Sequence, residues 1–184
     1  MPIFAKTKLV IHENCLEPVQ GSPHPGAGFI DIKYVGPNPQ NLYPKIKELF
    51  FNIWKIDAHE LMEKDISWDR SKGEEKFRVS FDMIKDKDTF SFMQVLVRLT
   101  GEARPSKDFG KEGSASIRIE GRVRTEYPQD TLWHRSLLYE MVRVFYDRVV
   151  YMEKRKKYVQ DCRTELTMLL TEIKSFLAIL SEHT

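Results

Sequence analysis

Glycine and proline are both absent beyond Pro128, so the last third of the chain lacks the two strongest helix breakers. Cysteine is scarce as well. Cys15 and Cys162 are the whole complement, lie far apart and belong to no CxxC unit, which excludes a clustered thiolate metal site. Taken by itself, that usage is simplest for a reduced protein, with pairing of the two left open. No stretch of about 18 uncharged apolar residues occurs, so no segment is expected to span a bilayer. The N-terminal Met-Pro-Ile-Phe-Ala-Lys lacks the apolar run of a secretory signal, and the expected location is the cytoplasm. Charge of one sign is lacking too: a formal net charge of +2 gives no general pull toward nucleic acid or anionic lipid. GxxxxGK[ST], GxGxxG and GxSxG are all missing, which removes the usual phosphate loops and the nucleophile elbow.

What is present is a globular composition, 41% hydrophobic and 30% charged, which excludes global disorder. Lys8–His12 reads as a short strand. Glu17–Gly28, with Pro18, Pro23 and Pro25, reads as an irregular loop. Phe29–Val35 is a second strand with Ile30, Ile32 and Tyr34 on one face. After Gly36–Pro39, Asn41 is the expected N-cap of a helix with Pro44 in its first turn. Ile46, Leu49, Phe50 and Ile53 form its apolar face. Four strands follow. Ile66 and Trp68 mark the first, and Phe77, Val79, Phe81 and Met83 line one face of the second. Phe90–Leu99 is apolar on both faces, so it is expected to be central and covered on both sides. Gly101–Gly113 is expected to be a mobile loop. Ile117, Ile119, Val123 and Tyr127 face one way along the last strand, with Gly121 as a bulge.

The fold class is therefore α+β, a mainly antiparallel sheet of about five to six strands with one medium helix and a very long C-terminal helix. In that helix Leu138, Val142, Phe145, Val149, Met152, Lys156, Val159, Arg163, Leu166, Leu170, Ile173, Leu177 and Leu180 recur in steps of four and three. Eleven of these thirteen are apolar, the signature of a helix with a helical partner. A helix over 131–182 would reach about 78 Å. A domain of about 130 residues is only about 35–40 Å across. The expected organisation is a sheet domain over 1–130 and a helix over 131–184. Within the helix, 131–152 packs on the sheet and 159–182 forms an association segment. Its expected interface residues are Val159, Leu166, Leu169, Leu170, Ile173, Phe176, Leu177 and Leu180, and the expected partner is a second copy or another protein's helix. The expected function is non-enzymatic self-association, with no cofactor, metal or catalytic set assigned.

A helix before the sheet and a long helix after it also resemble the helix-grip layout of START-type lipid-binding domains. The resemblance is architectural and implies a cavity between sheet and long helix for a small apolar ligand, lined here by Trp68, Phe77, Phe81 and Phe92. Other groups carry less. Asp57, His59, Glu60 and Glu63 would put His59 and Glu63 on one face if that stretch is helical, enough for a divalent ion only with help from elsewhere. His12, Glu13 and Cys15 lack an orienting partner for nucleophilic chemistry. Around His134 and Arg135 the reading is a helix start docked by Leu132 and Trp133 and capped by Asp130 or Thr131. Lys154, Arg155, Lys156 and Lys157 spread around a helix and read as a solvated surface rather than a nucleic-acid or membrane site, as do Arg118, Arg122 and Arg124 among their acidic neighbours.

Overall fold

The computed structural model describes residues 8–17, 28–71, 73–106, 110–128, 131 and 133–182. The architecture is the α+β one expected. Six strands form one antiparallel sheet: β1 (Lys8–Asn14), β2 (Phe29–Pro37), β3 (Leu61–Asp69), β4 (Glu75–Asp86), β5 (Ser91–Ser106) and β6 (Gly110–Pro128). Helix α1 (Leu42–Trp54) lies between β2 and β3. Beyond the sheet come α2 (Leu137–Tyr146), a π-helical turn (Asp147–Tyr151) and α3 (Met152–Glu182), one unbroken helical run.

Sheet order is β1-β6-β5-β4-β3, with β2 also on β6. The two N-terminal strands share one edge in tandem. β2 pairs the first half of β6 (Phe29 opposite Glu120, Pro37 opposite Glu112), and β1 pairs the second half (Asn14 opposite Arg122, Lys8 opposite Pro128). Cys15 fills the gap, its N–H donating to Gly121 O at 2.9 Å.

The alternation along the strands decides which face is covered. Tyr34, Phe77, Val79, Phe81, Met83, Met93, Val95, Val97, Leu99, Ile117, Ile119 and Val123 all point to one face and are buried. Helix α1 covers that face with Leu42, Ile46, Leu49, Phe50 and Trp54, and α3 lies beside it with Leu166, Leu169, Ile173, Leu177 and Leu180. Trp54 Nε1 donates to Glu165 Oε2 at 2.8 Å between the two helices. Among the described residues these side chains form one core cluster.

Several expectations change here. β5 is covered by helices on one face only. On the other face Phe92 and Leu96 are half-buried, and the Arg124 guanidinium lies 5.2 Å from the Phe92 ring centre. Cation–π cover from a neighbouring strand replaces a second layer. Gly121 is not a bulge, since it sits in regular register opposite Val95. Its lack of a side chain makes room for α3, because a Cβ there would run into Leu166 Cδ1 and meet Cys162 Sγ at 3.5 Å. Gly101–Gly113 is largely hairpin: the β5–β6 pairing runs on to Ser106 opposite Gly110, and residues 107–109 lie outside the described set. Residues 18–27 of the proline-rich loop lie outside it too. Asn41 does hold the N-cap position of α1, but it belongs to a 3-10 turn (Pro39–Asn41) and makes no side-chain cap bond. The helix closes at Lys55, whose φ of 50° is left-handed.

The two cysteines are paired. A Cys15–Cys162 disulfide ties the end of β1 to α3 beneath the Gly121 gap. The reduced state expected from two isolated cysteines is therefore corrected. Sequence spacing could not show it, because the two cysteines are 147 positions apart and are brought together only by the sheet edge and the return of α3.

Candidate functional site

The long helix has two halves that face opposite ways. From Tyr158 onward the inward positions are Tyr158, Val159, Cys162, Leu166, Leu169, Leu170, Ile173, Phe176, Leu177 and Leu180, all of them in or against the core. The residues expected to form an association surface are thus inside this chain's own fold. The physical reason is the second layer: α1 covers only part of the sheet face, and α3 supplies the rest.

In the first half the pattern inverts. Leu137, Leu138, Met141, Val142, Val144, Phe145, Val149 and Val150 are exposed, Leu137 at 78% and Phe145 at 66%. The inward line is instead Tyr139, Arg143, Asp147 and Tyr151, four residues apart and polar. So 131–152 does not bury its apolar breadth on the sheet as expected.

The π turn shifts the apolar stripe out of phase between the two halves. An α-helix turns about 100° per residue, and a π turn holds one residue more than an α turn. The seam that runs in steps of four and three is therefore rotated by about a quarter turn or more at Asp147–Tyr151. Seam residues Leu138, Val142 and Phe145 before the turn and Val149 within it face solvent, whereas Val159, Leu166, Leu170, Ile173, Leu177 and Leu180 beyond it lie in or against the core, with Met152, Lys156 and Arg163 exposed.

Polar contacts hold this orientation. Tyr127 O–H donates to Asp147 Oδ1 at 2.8 Å, and Arg155 lies between Asp147 (2.7 Å) and Glu13 (3.0 Å). Arg143 pairs with Glu140 and lies over the Tyr127 ring, 5.5 Å from its centre. Tyr151 O–H reaches Asp88 Oδ2 at 2.8 Å and Ser91 Oγ at 2.7 Å, and Ser91 Oγ meets Thr125 Oγ1 at 2.7 Å. Asp88 also accepts from Phe90 N–H and Ser91 N–H at 2.8 Å and from Tyr158 O–H at 3.0 Å. Burial would push the Asp88 carboxyl up, but these donors outweigh it and hold it below the usual carboxylate range. Burial pushes both the Tyr127 and Tyr151 hydroxyls well up, with Asp147 and Asp88 respectively adding to the shift. Both phenols stay protonated and donate. These contacts tie the helical run to the sheet.

The start of α2 is capped by Ser136, whose Oγ accepts from Tyr139 N–H at 3.2 Å. Thr131 Oγ1 accepts from His134 N–H one turn earlier, Trp133 is exposed rather than docked, and Asp130 and Leu132 lie outside the described residues. Asp57 and Glu60 form a capping box on the 3-10 turn Ala58–Glu60. Glu63 lies beyond it on β3, where Tyr43 O–H (2.7 Å) and Lys47 Nζ (2.6 Å) hold it. His59 and Glu63 therefore share no helix face. Among the described residues no three His, Cys, Asp or Glu side chains gather as a metal-binding group. Cys15 has no free thiol, and Glu13 is engaged by Arg155. Within the basic run Arg155 turns inward while Lys154, Lys156 and Lys157 are exposed. Arg118 pairs with Asp31, and Arg124 with Glu126. Phe77 and Phe81 are core, Trp68 stacks on Phe77 with ring centres 5.4 Å apart, and Phe92 lies on the opposite face of the sheet. Those four side chains cannot line one cavity.

No protein-family model matches the chain, and no curated protein matches it either. A solved structure of a Staphylococcus aureus protein of unknown function aligns with 82% of this chain and 93% of its own, at 11% identity and a TM-score of 0.25. A likeness that faint carries no argument. No helix among the described residues is long and apolar enough to cross a membrane.

The sequence reading missed α2 as the exposed surface. The signal was the polar line Tyr139, Arg143, Asp147, Tyr151, whose constant step of four needs the wider turn to stay on one side of the helix.

Proposed function

We propose that this protein is a non-enzymatic assembly module that self-associates through the outward apolar face of α2 and the π turn. The observation that carries the reading is the inversion: a helix turns its polar side to its own domain and eight large aliphatic or aromatic side chains to water. A contiguous apolar face of this kind marks an interaction site on a protein surface. Steps of four and three along Leu138, Val142, Phe145 and Val149 fit a second helix, because that spacing keeps one seam facing a partner. The Cys15–Cys162 bond supports an oxidising location in place of the cytoplasm, since such bonds are rare where thiols are kept reduced.

Light scattering on the full chain is expected to give twice the 21.7 kDa monomer mass at micromolar concentration. Phe145→Glu, which puts a charge at the middle of the face, is expected to return the mass to that of a folded monomer with unchanged circular dichroism. A wild-type protein that stays monomeric at hundreds of micromolar would overturn the reading.

A further inference from the structure

Resting on that reading, we infer that the association is a two-fold, antiparallel pairing of α2 with α2 of a second copy, crossing near Val144 and Phe145. The groove along the outward face is lined by Glu140, Met141, Val144, Phe145, Arg148 and Val149. Its walls are apolar, one end is acidic and the other basic. Glu140 is partly exposed and bonded to its own Arg143, while Arg148 is exposed and makes no ion pair among the described residues. A parallel, in-register pair would set Arg148 against Arg148 and Glu140 against Glu140 on either side of a desolvated seam. Turning one copy around sets Glu140 of each beside Arg148 of the other, with Met141, Val144 and Phe145 packed between them. An isologous interface requires such self-complementarity, in which residue i meets j and j meets i. Like charges brought together suppress the wrong arrangement and opposite charges fix the register.

The π turn makes this geometry available. It rotates the groove away from the sheet without breaking the helix, so α3 keeps its leucines in the core while α2 presents its own to a partner. The polar underside described above has no surface left to offer that partner, which limits the contact to one helix per copy and to a dimer.

The two arrangements are distinguished by cross-linking. Met141→Cys and Val149→Cys are made separately in chains that keep Glu140, Arg148 and the native disulfide, and are treated with a short bismaleimide, alone and mixed. Antiparallel pairing places position 141 beside position 149 of the other copy and about 12 Å along the axis from its own counterpart, at 1.5 Å per residue. The mixture should therefore cross-link several-fold more than either variant alone. Efficient cross-linking of each variant with itself, and none between the two, would overturn the antiparallel geometry while leaving self-association standing. A protein that is monomeric by light scattering and cross-links in none of the samples would overturn both.

Discussion

α2 and α3 are parts of one helical run, each with an apolar stripe, and the structure uses those stripes in opposite ways. In α3, Leu166 is fully buried over Gly121 and Cys162 is bonded to Cys15. In α2, Phe145 and Leu137 lie in water while Arg143 is buried. Amphipathicity alone therefore does not say which side of a helix is the inside. The side is set by where the preceding anchor holds the helix, here the contacts of Tyr151 with Asp88 and Ser91 and of Asp147 with Tyr127 and Arg155.

The sharpest way to break this contrast is a matched pair of truncations. Leu166→Ala should cost about 2–5 kcal/mol of unfolding free energy, because the cavity opens between two fixed layers. Phe145→Ala, in dilute monomeric samples, should stay within about 0.5 kcal/mol of the parent. Urea titrations of the two variants make the comparison, and equal losses would mean that α2 is packed after all. Next in size is the disulfide. Replacing Cys15 and Cys162 together by Ala should cost about 2–4 kcal/mol, as freeing a long loop relaxes the unfolded chain. Hydrogen exchange should then show α3 loosening where it meets β1 and β6, with α1 unaffected. A variant as stable as the parent would make the bond irrelevant to the placement of α3.

The smallest effect concerns the junction. Asp88→Asn should cost about 1–3 kcal/mol near neutral pH, because the replacement weakens charge-assisted bonds from two tyrosines and two backbone N–H groups. The folded-state pKa of Asp88 lies below its ordinary 3.8. The unfolded chain therefore takes up the proton first. The contribution is present above 3.8 and fades as pH falls through the folded-state value. The difference between parent and variant should accordingly shrink on acidification. A difference independent of pH would assign the loss to packing instead.

Much of the fold could be read in advance because period-two patterns need no partner to be recognised. Phe77, Val79, Phe81 and Met83 announce their face by alternation, as do Ile30, Ile32 and Tyr34, and each lies where that alternation puts it. Ile46, Leu49 and Phe50 do the same for α1 at helical spacing. The long helix was legible as a helix but not in its rotation. A run from Leu138 to Leu180 in steps of four and three looks like one seam, and a single wider turn divides it into two. Nothing in Asp147–Tyr151 forces that turn locally. It forms because Tyr151 reaches Ser91 and Asp88, residues about sixty positions earlier. The disulfide was hidden for the same reason, since the apposition of Cys15 and Cys162 is a product of the finished topology. Gly121 shows the limit from the other side: a glycine in a strand was visible, and the leucine that needs its space lies 45 positions later.

The link between Cys15 and Cys162 also decides how the molecule would respond to mechanical load. Tension applied from before β1 to beyond the middle of α3 enters one sulfur and leaves by the other, bypassing the stretch of chain that separates two cysteines 147 positions apart. Only β1 and the C-terminal turns of α3 could be peeled away. The backbone of β2 to β6 would not be drawn out, and the extension recorded in a pulling experiment would stop far short of the full chain until a reductant reached the bond.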